Sequence, residues 1–243
     1  MGNIVSDSFE LYKKNLKLVL FFSIPFIIAF AIPLLAPFPT YVSIGAIFLR
    51  SASIFVNMNP ISLAVIAIST FFSLLFLSFA FVAISLIVKS EKTHVKIGIR
   101  VINDIERHIG SVFIVLLGYT IFLMAVNILS YYAGLEGVAT PLLGFVAFLL
   151  IFYAPSAIVV DNKHAFRAIW DSAKLVIREP QYFLIWLLLI TLVGSVLDLL
   201  TIGIFGTFWS RYVMLVLNSV FVLPYFVIFM AEAYMRRFKL LKH

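Results

Sequence analysis

The chain has no cysteine, so it carries no disulfide framework, no thiolate nucleophile and no cysteine-based metal site. It is also poor in charge: only 12% of its residues are charged, about half the share of an ordinary soluble domain. No residue from Ile61 to Val88 is charged. Recognisable catalytic spacings are missing too. There is no Walker loop, dinucleotide fingerprint, HExxH or paired-carboxylate motif. Ser156 follows Pro155 without a GxSxG context. His94, His108 and His164 are too far apart for a metal site and are expected to face solvent or headgroups. These absences argue against an enzyme and predict no cofactor and no metal.

What is present is apolar. Of 243 residues, 63% are hydrophobic and 26 are Phe. No soluble core of this size hides so much apolar surface, so the chain is expected to be an integral membrane protein, residues 1–243 forming one transmembrane domain. Hydropathy divides it into six spans, near residues 16–35, 61–88, 111–132, 141–160, 180–202 and 211–234. Pro25, Pro155 and Pro224 fall inside spans and predict kinks. Residues 40–60, with Arg50 in their middle, are expected to form a helix that re-enters the bilayer or lies on its outer surface. Lys13–Lys17 followed by an apolar run looks superficially like a signal peptide. Its long acidic-containing lead, with Asp7 and Glu10, argues against cleavage. Met1-Gly2 with Ser6 fits a myristoylation pattern too short to carry weight.

Basic amphipathic stretches precede the odd-numbered spans. The clearest is Asp161 to Trp186. Phe166, Ile169, Trp170, Ala173, Val176 and Ile177 form an apolar stripe, with Lys163, Arg167, Asp171, Lys174 and Arg178 on the other side. Residues 3–16 and 89–108 look like weaker copies. Shifted by 71 residues, Lys92, Lys96 and Arg107 meet Lys163, Arg167 and Arg178. Shifted by 164, Asp7-Ser8, Leu11 and Lys14 meet Asp171-Ser172, Leu175 and Arg178. The expected fold is therefore all-α and polytopic: six transmembrane helices as three hairpins, each preceded by an amphipathic interfacial helix. The repeat units are residues 3–88, 89–160 and 161–235, with a basic tail at 236–243.

The net charge of +7 follows from the same plan. With both termini cytoplasmic, every one of the 18 cations except Arg50 and Arg211 falls inside. Placement thus accounts for the basic balance without nucleic acid. Lys14, Lys92, Lys96, Arg100, Arg107, Lys163, Arg167, Lys174 and Arg178 are candidate contacts for anionic headgroups. Asp198, the acid well inside a span, and Arg211 across the next turn form a candidate intramembrane pair, structural or functional. Glu232 is expected to pair with Arg236.

Ala154-Pro155-Ser156-Ala157-Ile158-Val159, then Asp171-Ser172-Ala173-Lys174-Leu175 and a fresh span, resembles the membrane domain attached to some glycerophosphodiester phosphodiesterases, and related stand-alone prokaryotic membrane proteins. Asp7-Ser8-Phe9-Glu10-Leu11-Tyr12-Lys13-Lys14-Asn15 is similar to the start of that domain. The resemblance implies a multi-spanning cell-membrane protein and transfers no catalytic residue. Three functions fit: a non-enzymatic module binding lipid, a protein partner or a second copy; a transporter or permease subunit for a lipid-like or small amphiphilic solute; and an intramembrane enzyme centred on Asp198, ranked last.

Overall fold

The computed structural model describes residues 4–35, 40–43, 46–49, 60–93 and 100–236. They are almost all helical. A short helix α1 (Ile4–Lys14) leads into α2 (Leu16–Leu35). After the pair β1 (Thr40–Ser43) and β2 (Ala46–Leu49) come α3 (Pro60–Thr93) and α4 (Arg100–Tyr132). There follow α5 (Glu136–Ile151), α6 (Ala154–Asp161) and α7 (Ala165–Arg178). The last are α8 (Pro180–Leu217), a wide π turn at Asn218–Val222, and α9 (Leu223–Arg236).

Four described helical stretches are long and apolar enough to cross a membrane, or five if the bent pair α1–α2 counts as one. One of the four, Pro180–Arg236, has 57 residues. At 1.5 Å per residue a straight rod of that size would be about 85 Å long, nearly three times a hydrocarbon core of about 30 Å. It is not straight. Gly206 has φ 70° and ψ 171°, a combination open almost only to glycine. The rings of Trp186 and Phe226 lie 5.7 Å apart. These residues flank Gly206 at equal distances along the chain, so the stretch folds back on itself there.

Two other antiparallel pairs obey the same logic. Lys14 reaches Glu91 at 2.7 Å, and farther along α2 Phe26 meets Phe81, earlier in α3, at 5.9 Å. In α4 and α5, Tyr119 donates to the Gly144 carbonyl at 3.2 Å, and its ring lies 6.4 Å from that of Phe148, tilted by 53°. The crossing is close at Gly144, where a Cβ would sit 2.9 Å from the end of the Leu123 side chain, which would have to shift. The turn between α4 and α5 is made at Gly134, with φ 67°.

At the centre lies α6, whose residues Ala154 to Val159 are all buried. The chain leaves the helix at Phe152–Tyr153 and re-enters it at Ala154, with Pro155 in the new first turn, where its missing N–H costs nothing. The Tyr153 N–H at this break donates to Ser172 Oγ of α7 at 2.8 Å. Around it packs a core rich in rings: Phe152 lies 4.9 Å from Phe183 and 5.0 Å from Trp186. Pro224 sits in the first turn of α9, directly after the wide turn Asn218–Val222; such widened turns accommodate a lost backbone hydrogen bond. Pro25 lies within an unbroken α2. Hydroxyls in these apolar helices fold back on the chain: Ser23 and Ser78 donate to the Val19 and Leu74 carbonyls, both at 2.6 Å. Ser73 and Ser85 make no side-chain hydrogen bond among the described residues.

Three sequence expectations change. The start of residues 40–60 is extended rather than helical: Tyr41 pairs with Phe48 and Val42 with Ile47, residue types that favour strands. Arg50 and the rest of that segment through 59 lie outside the described residues. The second repeat has no elbow at its span, because α4 runs unbroken from Arg100 to Tyr132. Nothing near residue 110 interrupts it as Pro180 interrupts the chain after α7. His108, expected to face solvent or headgroups, is buried, because it shares the inward seam of Ile105, Val112 and Val115. His94 lies outside the described residues.

The first and third elbows match closely. α1 ends at Lys14 and α2 begins at Leu16; α7 ends at Arg178 and α8 begins at Pro180. Under the same 164-residue shift, Ile4, Ser8, Leu11 and Tyr12 fall on Ala168, Ser172, Leu175 and Val176, and all eight are buried.

The strain at Gly206 gives a direct test. Gly206→Ala should lower stability by about 1–3 kcal/mol, measured by thermal unfolding in detergent. Gly203→Ala, on an open helical surface, should be neutral or stabilise by up to about 1 kcal/mol.

Candidate functional site: the charged end of the helices

Ion pairs gather the helix ends into one polar layer. Glu232 of α9 is 1% exposed and takes Lys92 of α3 at 2.9 Å and Arg236, one turn on, at 3.7 Å. Arg236 also pairs with Asp7 of α1. Beside this cluster, Lys163 bridges Asp161 at 2.7 Å and Asp171 at 2.6 Å. Tyr234 donates its hydroxyl to Asp161 at 2.7 Å. Lys89 donates to the Val159 carbonyl at 2.6 Å, tying α3 to the end of α6. The ends of α1, α3, α6 and α9 therefore meet at one level. The loop Asn162–His164 continues into α7, with Asn162 in the left-handed conformation that closes α6.

α7 has three faces rather than two. Ala165, Ala168, Ser172, Leu175 and Val176 are buried against the protein. Arg167, Lys174 and Arg178 are exposed on a second seam, with half-buried Asp171 among them. Between these seams stand Phe166 at 84%, Trp170 at 64% and Ile177 at 75% exposure. The expected single apolar stripe is thus split: Val176 turns inward, while Phe166, Trp170 and Ile177 turn outward. Lys174 lies 5.1 Å over the Trp170 ring, joining the apolar and basic seams. α1 repeats the pattern, with Lys13 4.5 Å over exposed Phe9.

The structure sorts the candidate headgroup cations. Lys14, Lys92 and Lys163 are engaged with acids. Arg107, Arg167, Lys174 and Arg178 are exposed and make no ion pair among the described residues. Arg100 opens α4, and Lys96 lies outside the described residues. Asp198 and Arg211 are not joined by an ion pair among the described residues. Arg211 lies instead 4.6 Å over Phe208 and 4.9 Å over Tyr212. These rings and exposed Trp209 follow the Gly206 turn, and exposed Tyr131 and Tyr132 precede the Gly134 turn. No group of three or more potential metal ligands occurs among the described residues.

The Glu232–Lys92 and Arg236–Asp7 pairs were not legible in the sequence, since their partners are distant along the chain; the only local signal was the four-residue spacing of Glu232 and Arg236. Removing a buried partner leaves uncompensated charge. Glu232→Gln should cost about 2–3 kcal/mol, less than the ~3–5 of a fully buried pair because Lys92 is partly exposed. Asp7→Asn, at the more exposed margin, should cost about 1 kcal/mol or less. Thermal unfolding in detergent ranks the two.

Compared with protein-family models, curated proteins and solved structures, the chain matches none.

Proposed function

We propose that this protein is a non-enzymatic, six-span module of the cell membrane that binds anionic lipid headgroups at its cytoplasmic face. The six spans are α2, α3, α4, α5 continued by α6, the first arm of α8, and the rest of α8 with α9. Pro180–Arg236 counts twice because it reverses at Gly206. The charged layer lies at the cytoplasmic headgroups and the aromatic-rimmed turns at Gly134 and Gly206 at the outer interface, as positive-inside bias and aromatic belts favour. The matched elbows at α1–α2 and α7–α8 support an internal repeat, and the whole plan is in keeping with the resemblance drawn from Asp7-Ser8 and Asp171-Ser172.

The observation that carries this reading is the three-way division of α7. Water alone would leave Phe166, Trp170 and Ile177 as an unfavourable exposed stripe, and hydrocarbon alone would strand Arg167, Lys174 and Arg178. A helix lying in the interface satisfies both seams while its third packs on the protein. Basic residues near an anionic surface contribute about 1 kcal/mol each.

The absence of native cysteine makes the test clean. Single cysteines at Lys174 and Lys13 should react with a membrane-impermeant maleimide only after cells are opened. Those at Ala133 and Thr207 should react in intact cells. Reaction of Lys174→Cys from outside would overturn the orientation. For lipid binding, replacing Arg167, Lys174 and Arg178 together with Gln should weaken the preference for phosphatidylglycerol over phosphatidylcholine by at least tenfold; an unchanged preference would remove the headgroup role.

A further inference from the structure

A cleft of about 400 Å³ opens between α4, α5 and the N-terminal half of α7. Gly118 and Phe122 form one wall, Leu143 and Val146 another, and Phe166 with Ile169 closes the end at the charged layer. The only polar side chain among its described lining residues, Tyr119, already donates to the Gly144 carbonyl. The cleft therefore offers an entering group apolar contact alone. Gly118 creates much of the space: a Cβ there would meet nothing within 4 Å. The same holds at Gly110, two turns toward the charged end.

Arg107, Gly110, Ile114 and Gly118 share one face of α4 by their three- and four-residue steps. Arg107 thus stands beyond the charged end of the furrow, roughly 10 Å along the helix from Ile114. Its guanidinium is exposed and has no acidic partner among the described residues. An apolar furrow continued on the same helix face by a guanidinium without an acidic partner matches one ligand chemistry: a long hydrocarbon chain attached to an anionic phosphodiester.

We infer that this cleft is a specific site for an anionic phospholipid of the cytoplasmic leaflet, one acyl chain lying over Gly118 and the phosphate held by Arg107. The inference rests on the bilayer placement proposed above and adds a discrete, saturable site to a general preference for anionic headgroups. Arg is suited to phosphate because its planar fork can donate two hydrogen bonds at once.

The test uses the intact protein with phosphatidylglycerol as probe. Native mass spectrometry of detergent-purified protein should show one phosphatidylglycerol bound at least tenfold more tightly than any later one. Gly118→Leu puts a side chain into the cleft from a position where a Cβ meets nothing within 4 Å, and should abolish that first event. Arg107→Gln should weaken it about tenfold, and Gly203→Leu, outside the cleft, should leave it intact. Inorganic phosphate should not compete. Unchanged tight binding in Gly118→Leu would overturn the inference while leaving the general preference, carried by Arg167, Lys174 and Arg178, standing. Should Gly118→Leu fail to fold, a bimane label on Leu143→Cys decides the matter. Brominated-chain phosphatidylglycerol should quench it to saturation at low mole fraction in a phosphatidylcholine bilayer. Quenching in simple proportion to brominated lipid, equal for both headgroups, would contradict the site.

Discussion

Backbone amides and charged side chains have no partners in hydrocarbon, and that constraint shapes this chain at every level. The long apolar stretches are helical, so their backbone groups are paired within each rod. Hydroxyls such as Ser23 and Ser78 close on carbonyls of their own helix. Most charge is displaced to one end, where acids and bases meet across elements that the sequence keeps far apart. Asp7 and Arg236 lie near opposite ends of the described chain, yet they touch.

That charged end both ties and presents. Glu232 is buried: it holds partly exposed Lys92 and Arg236, and through them joins α1, α3 and α9. Lys163 does the same for the end of α6 and for α7. Arg167, Lys174 and Arg178 on α7 and Arg107 on α4 are exposed. A helix that must pack on protein, lie in apolar surroundings and expose guanidiniums can do so only with three distinct seams, and α7 has them. The buried Ser172 ties this helix to the break ahead of Pro155, and so anchors it to the start of the buried helix α6.

Much of this architecture was legible in the sequence, for physical reasons. Pro60 and Pro180 open helices because their missing N–H is harmless in a first turn. Under the 164-residue shift that aligns Asp7-Ser8 with Asp171-Ser172, four buried residues of α1 fall on buried residues of α7. The wide turn ahead of Pro224 and the break ahead of Pro155 lie where proline cannot complete a helical ladder. Other features depended on tertiary context. The charge pattern of residues 89–108 resembled an elbow, but charge pattern does not bend a helix, and α4 continues. A histidine beside an arginine looked solvated, yet His108 lies buried on the inward seam with Ile105 and Val112. Asp198 and Arg211 are close enough in sequence to suggest a pair, but aromatic rings after the Gly206 turn take the guanidinium. The cleft was invisible because it is defined by the missing side chain of Gly118 and by a crossing at Gly144 that periodicity does not specify.

The central claim is that α7 lies among protein, lipid and water at once. Spin labels placed singly at every position from 165 to 178, in the protein reconstituted in phosphatidylglycerol-containing bilayers, test it most directly. Oxygen, which concentrates in lipid, should relax labels at 166, 170 and 177. A water-soluble nickel chelate should relax those at 167, 174 and 178, and neither should reach 168, 172 and 175. A simple two-sided pattern, with 166, 170 and 177 as open to the chelate as 167 and 174, would contradict the account.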